Sequence, residues 1–332
     1  MCLGQVSLDP CRHSRTSEPF PNRSVHAVIP IDMQTLLTMH SLVVMEAAVN
    51  ERLRRAPGIR LHERLGNAPL VLDSQGQTAL RTIYQEYIDI AAAAGLPLFL
   101  YTPTWRADRA RVEESGVSRA INVDATEFMC ALREAQANPE NIGIGGLLGP
   151  RNDCYRPEEG LSVEQAREYH AWQIGQLVRG GVDFLVAQTM PNVDEALGMA
   201  QAMGDAGAPY LISFVIDRNG HVLDGCELLD AVHRIDANTE FPPLGYMVNC
   251  AYPSFLRPQE QPIELFERMI GYQANASSLD HCELDGADHL HGDPVGEWAA
   301  LMVELNRRYG MKLLGGCCGT NGEHLRHLVG TA

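Results

Sequence analysis

From about residue 67 onward, short apolar runs alternate with longer stretches in which apolar side chains recur every three or four positions. The short runs, bounded by Gly, Pro, Asn and Asp, predict strands at 70–73, 98–102, 142–147, 184–187, 210–216, 244–249, 272–275 and 312–314. The longer stretches predict helices at 78–94, 125–137, 163–179, 193–206, 223–235, 263–270, 295–309 and 322–328. Several helices carry start signals: Ser162 with Gln165 three residues on, Asp194 before an alanine-rich run, and Pro294 ahead of the last long helix. Alternating strands and helices of this number and spacing fit a single-domain (β/α)8 barrel, although a doubly wound open sheet has the same string. The body is taken as residues 67–332. Residues 1–66 are taken as an N-terminal extension, loosely ordered or partly helical, and their first apolar stretch near 36–45, interrupted by Thr38, His40 and Ser41, does not read as a secretory signal.

Composition narrows the function. The chain has 332 residues, 45% hydrophobic, with a formal net charge of −16. That balance repels phosphate backbones and anionic headgroups, and no run approaches the roughly 20 apolar residues of a membrane helix, so neither nucleic acid nor membrane is an expected partner. Lys312 is the only lysine, which leaves Schiff-base chemistry a single candidate. The nine cysteines are an odd number, scattered through a chain large enough to fold without bridges, and point to the reducing cytoplasm.

In a barrel, chemistry sits at the carboxyl ends of the strands. There the chain places Asp73, then Thr102-Pro103-Thr104-Trp105, Gln188-Thr189, Asn249-Cys250 and Gly315-Gly316-Cys317-Cys318-Gly319. Adjacent cysteines face one ion only if the backbone turns sharply, and Gly315, Gly316 and Gly319 permit this by reaching positive φ. Cys250, Cys317 and Cys318 would then offer zinc three thiolates and leave a fourth position for substrate. A tight turn with two buried thiols, or a vicinal disulfide, fits the same residues. A second polar group, His281-Cys282-Glu283 with Asp285, Asp288, His289 and His291, reads as a solvated loop rather than a metal site. The glycine run 143–149 misses the Gly-x-Gly-x-x-Gly spacing of a dinucleotide loop.

Taken together, Gly315-Gly316-Cys317-Cys318-Gly319-Thr320, Asn249-Cys250, and Gly181-Val182-Asp183-Phe184 leading to Gln188-Thr189 resemble the homocysteine S-methyltransferase family. Thr102-x-Thr104-aromatic-x-Ala107, Gly149-Pro150 and His170 agree with it, and the resemblance spans roughly residues 68–330. It implies a (β/α)8 barrel whose Zn2+, on Cys250, Cys317 and Cys318, binds the homocysteine thiol and presents it to a sulfonium or quaternary ammonium methyl donor, giving methionine. The partners implied are thus a small-molecule thiol and a small methyl donor. Asp73, Gln188, Thr104 and Asn249 are the expected substrate-binding residues, with Asn249 also placed to support its ligand neighbour.

Two positions depart from the family pattern. The first strand of the family ends Asp-Gly-Gly, whereas Asp73 is followed by Ser74-Gln75. The fourth ends Glu-Thr, and that glutamate, with the strand-one aspartate, binds the homocysteine ammonium; here the residue is Gln188. The substitution points to weak homocysteine binding, to another thiol or methyl compound, or to a zinc-binding barrel without turnover.

Overall fold

Each barrel strand is a short apolar run buried on both faces, as expected of a parallel sheet sheathed by helices. The structure, a computed structural model, describes residues 31–280 and 291–332. Its strands are β1 Val43–Met45, β2 Leu98–Tyr101, β3 Ile142–Leu148, β4 Phe184–Met190, β5 Tyr210–Phe214, β6 Gly245–Asn249, β7 Met269–Ala274 and β8 Leu313–Gly316. They pair in parallel in sequence order and close through β1 on β8, Val43 against Leu313, forming the expected (β/α)8 barrel. Among the described residues the helices are α1 Met33–Met39, α2 Asn50–Arg55, α3 Ser74–Ala94, α4 Arg109–Ser115, α5 Ile121–Glu134, α6 Val163–Gly180, α7 Val193–Asp205, α8 Leu228–Ala237, α9 Val295–Tyr309 and α10 Gly322–Thr331. No described helix is long and apolar enough to cross a membrane.

Inside the barrel, Met45, Phe99, Tyr101, Phe184, Met247 and Leu313 form a core separate from the one beneath the helices. The glycine run of β3 makes room for it. A Cβ on Gly143 would stand 2.7 Å from the Phe99 ring, and one on Gly145 2.7 Å from Phe184, whose rings pack with centroids 5.0 Å apart. These glycines are packing devices. At the amino end of the strands Met33 of α1 is buried against the same core, and Lys312 Nζ donates to Leu37 O at 2.6 Å. The lone lysine thus caps a helix terminus, where a cation suits the unpaired carbonyls.

The first strand differs from its expected place. Residues 68–72 form a 3-10 helix with Pro69 in its first turn, and Asp73 caps α3. The strand is Val43–Met45, three residues long and flanked on β2 by Val44 against Leu98. The barrel therefore takes in residues 43–66 of the expected extension, and the boundary at 66/67 moves accordingly. The predicted helix at 263–270 is also shorter: a 3-10 turn covers Ile263–Glu267, and β7 begins at Met269. Elsewhere ends shift by a few residues, as at β2, β5 and α8. The capping box of Ser162 and Gln165 opens α6 as expected, while Asn192 rather than Asp194 caps α7.

Candidate functional site

The chain after β6 turns through Cys250, which holds φ at +55°, a left-handed conformation that a side-chain-bearing residue adopts only when its surroundings impose it. Here Cys250 N donates to Gln273 O at 3.2 Å and Cys250 O accepts from Asn275 Nδ2 at 3.0 Å. On the other side of β7, Cys317 N donates to Ala274 O and Cys318 N to Asn275 Oδ1, at 2.7 and 3.1 Å. The end of β7 thus orients all three cysteines, and their sulfurs lie within 4.8 Å of one another. Among the described residues this is the one group of three metal-ligating side chains so placed.

The glycines around it work differently from the expectation. Only Gly319 has positive φ, at +80°. Gly315 and Gly316 are strand residues that other groups approach closely: a Cβ would lie 2.7 Å from Met45 Cβ in the first case and 2.2 Å from Thr320 Oγ1 in the second. Thr320 Oγ1 in turn donates to Cys317 O at 2.6 Å, which fixes the turn carrying both thiols.

Asn249 is buried under the sulfurs. Its Oδ1 accepts from Thr189 N at 2.8 Å and Ser213 Oγ at 2.7 Å, which leaves Nδ2 to face Thr189 Oγ1 at 2.7 Å, Cys250 Sγ at 3.3 Å and Cys317 Sγ at 4.0 Å. An amide donor beside two sulfurs favours their charged form. Thr189 also holds positive φ, at +63°, where the β4–β5 register shifts. In the absence of a cation Cys317 is pushed well above the usual thiol range, first by its contact with the Cys250 thiol and then, against the lowering contact with Cys318, by desolvation. Three sulfurs this close cannot all ionise unless a positive charge joins them.

A second polar group occupies the ends of β1, β4 and β7. Glu46 directly follows β1, is 7% exposed and accepts Tyr101 N at 2.7 Å on Oε2. Burial, only partly offset by that hydrogen bond, raises its carboxyl to about 8. Gln188 Nε2 donates to Gln273 Oε1, Gln273 Nε2 donates to Glu46 O at 3.1 Å, and Trp105 Nε1 reaches Gln188 O at 3.4 Å. Gln188 is buried at a strand end, where the expectation placed it.

Two expected residues stand elsewhere. Asp73 is exposed and accepts Gly76 N at 2.7 Å as the cap of α3, so the acid at the carboxyl end of β1 is Glu46, not Asp73. Thr104 is fully buried, with Oγ1 bonded to Leu147 O and Thr102 Oγ1, both at 2.7 Å, which ties β2 to β3. Glu46 was missed because Val43-Val44-Met45 was not read as a strand, whereas Gln273 lies in the predicted strand at 272–275 and is marked out only by its bond to Gln188, which sequence does not show. The acidic and histidine-rich group at 281–291 lies outside the described residues apart from His291.

The family model described as homocysteine S-methyltransferase matches residues 43–331, starting at β1 and ending in α10. The chain belongs to the homocysteine S-methyltransferase family. Members of that family are methyltransferases, and relatives align over most of this chain: a homocysteine S-methyltransferase of Bacillus subtilis, YbgG, is 23% identical over 90% of this chain and 97% of its own. The homocysteine S-methyltransferase of Escherichia coli is 23% identical over 87% of this chain and 94% of its own. Among solved structures, the homocysteine methyltransferase MmuM from Escherichia coli in its metallated form superposes with a TM-score of 0.70 at 20% identity, covering 90% of this chain and 99% of that one. This likeness extends to the fold.

Proposed function

We propose that this chain transfers a methyl group from a sulfonium or quaternary ammonium donor to the thiol of homocysteine, giving methionine, with Zn2+ held by Cys250, Cys317 and Cys318. The observation that carries the reading is the meeting of three sulfurs within 4.8 Å at the ends of β6 and β8. The donor set fits the ion: sulfurs at ~2.3 Å from one tetrahedral zinc stand ~3.8 Å apart, and three protein ligands leave one position for a substrate thiol. When bound, zinc supplies the positive charge that keeps ligand and substrate sulfurs deprotonated at neutral pH.

The chain's own residues do the rest. Asn249 Nδ2 donates toward the Cys250 and Cys317 sulfurs and, locked by Thr189 and Ser213, needs no reorganisation to do so. Glu46, Gln188 and Gln273 form the polar end that receives the acceptor's head group. Holding acceptor sulfur and donor methyl in line supplies the rate acceleration of proximity, with the donor leaving as a neutral thioether or amine. A small-molecule thiol and a small methyl donor are the only partners this requires, and free thiols at the working site suit the reducing cytoplasm.

A second reading concerns the acceptor. Gln188 bonds to Gln273 instead of presenting a charge, and Glu46 holds its proton at neutral pH. Loss of one charge-assisted contact of about 1.5–3 kcal/mol weakens an ammonium-bearing acceptor roughly tenfold to a hundredfold, which favours a thiol without an α-ammonium group. Crossing homocysteine and ammonium-free thiols with S-methylmethionine, S-adenosylmethionine and betaine on zinc-loaded protein tests both. No methylated thiol from any pair, with zinc bound, would leave a metal-binding barrel without turnover.

A further inference from the structure

The short segment after β2 carries a cation that no neighbour neutralises. Its backbone is pinned on both sides of that residue. Thr104 N and Ala107 N donate to Thr102 O and Thr104 O, both at 2.8 Å, and Gly149 N donates to Trp105 O at 3.1 Å. Gln173 Nε2 and Asn122 Nδ2 add bonds to Thr104 O and Ala107 O, again at 2.8 Å. Trp105 is wedged against the end of β3, where a Cβ on Gly149 would stand 2.5 Å from its ring, and its Nε1 donates to Gln188 O at 3.4 Å. The next residue, Arg106, is exposed, with its guanidinium 4.9 Å from the centre of the Trp105 ring. One indole therefore separates this cation from the end of β4, where Gln188, Gln273 and the Glu46 backbone are bonded in a row.

Among the described residues the Arg106 side chain has no ion pair and no hydrogen bond. Asp108, two residues on, is already engaged: it accepts Arg111 N at 3.0 Å, the Tyr169 hydroxyl at 2.6 Å and the Arg111 guanidinium. Arg111 also donates to Arg151 O, which brings a second cation to this side of the mouth. Paired arginines elsewhere behave differently. Desolvation opposes the charge of Arg52 and Arg268, but Tyr87 and Glu86 in the first case and Asp236 in the second more than offset it. Arg106 is instead lowered, first by desolvation and next by the Arg111 charge, while Cys154, Asp153 and Asp108 fail to compensate. It remains a cation at any working pH, with its donors unused, and a guanidinium fork fits a carboxylate in two parallel bonds. In a chain of net charge −16, an anionic group needs such a local cation to settle at the mouth.

We propose that Arg106 is a specificity-determining residue that binds the carboxylate of a thiol acceptor whose head group lies beside Gln188. An α-amino acid carries its carboxylate on the same carbon as its ammonium, so a head group at the Gln188 end also brings its carboxylate to the Trp105 edge. The pinned backbone fixes where the arginine starts, and the unpartnered side chain is free to swing onto the anion. Selection then rests on the negative end of the head group: the site takes a thiol that has a carboxylate and no ammonium, and discriminates against one that has an ammonium and no carboxylate. The inference deepens the proposed methyl transfer and rests on it for the acceptor's being a thiol.

The test splits the homocysteine head group in two. Binding of 4-mercaptobutanoate, which has only the carboxylate, and of 3-aminopropane-1-thiol, which has only the ammonium, is measured by calorimetry on zinc-loaded protein, followed by kcat/KM for each and for homocysteine. Arg106→Gln should weaken 4-mercaptobutanoate and homocysteine about tenfold and leave the aminothiol unchanged, and Arg106→Lys, which keeps the charge without the fork, should recover part of the loss. Rates are taken with S-methylmethionine and with trimethylsulfonium, a donor that has no carboxylate. An equal loss for both thiols, no loss for 4-mercaptobutanoate, or a loss that appears only with S-methylmethionine would overturn the assignment, the last by giving Arg106 to the donor. Arg106-dependent binding of the carboxylate thiol without any methylated product would uphold the subsite and reject the transfer reading. Methyl transfer to 4-mercaptobutanoate that is indifferent to Arg106→Gln would do the reverse.

Discussion

The two halves of the barrel mouth are built on different terms. At the ends of β6 and β8, strained or glycine-bearing backbone, a buried amide and the tail of β7 converge on three sulfurs, and every partner is satisfied. At the ends of β1, β4 and β7, a carboxyl keeps its proton and two glutamines bond to each other. On the proposed reading, the first half would hold an ion whose chemistry is the same for any thiol acceptor. On the same reading, the second would meet the part of the acceptor that distinguishes one thiol from another. Such a division would let the reaction be kept while the substrate changes, because the two would be held by different strands.

The sharpest way to break this comparison is to remove a sulfur. Cys317→Ser should abolish bound zinc and lower methyl transfer by more than the about 10–100-fold typical of losing a supporting residue, as read by metal analysis and initial rates. Asn249→Ala should itself fall in that 10–100-fold range for zinc affinity, measured by competition with a chromophoric chelator, because Nδ2 faces two ligand sulfurs. At the other half, Gln188→Glu should raise kcat/KM for homocysteine about tenfold to a hundredfold and leave an ammonium-free thiol unchanged; equal effects on both would merge the two halves into one.

Glu46 separates them by pH. Its folded carboxyl titrates at about 8 against 4.5 in the unfolded chain. Between those values the folded state holds a proton that the unfolded state releases, so the contribution of Glu46 to stability is fully present below pH 4.5 and is lost as pH rises toward 8, by at most about 1.4 kcal/mol per unit. Urea unfolding at pH 5 and pH 8 should show this loss, and Glu46→Gln should remove it. The smallest effect belongs to Asp73→Ala: about 1 kcal/mol of stability from the lost α3 cap, with kinetics unchanged for any acceptor.

The thiol half was legible in the sequence because its ligands are adjacent in the chain or follow an apolar run directly: Cys317-Cys318 sit in a glycine-framed turn and Cys250 closes a five-residue strand. The acceptor half was less legible. Glu46 follows a strand of three residues, too short for an alternating pattern, while Leu70-Val71-Leu72 presents a stronger apolar run that folds as a 3-10 turn. One displaced strand exchanged Asp73 for Glu46 and hid the partnership of Gln188 with Gln273, since cross-barrel neighbours are known only once the strand order is closed. The expectation that Gly315 and Gly316 reach positive φ fails: they admit close neighbours instead, and of the three only Gly319 has positive φ.

The central claim is that the three sulfurs hold the zinc on which turnover depends. Protein stripped with a chelator and reloaded in steps with zinc should form methylated thiol in direct proportion to occupancy, saturating at one ion per chain and failing to reload in Cys250→Ser. Full turnover by the stripped protein, or reloading of Cys250→Ser to normal activity, would contradict it.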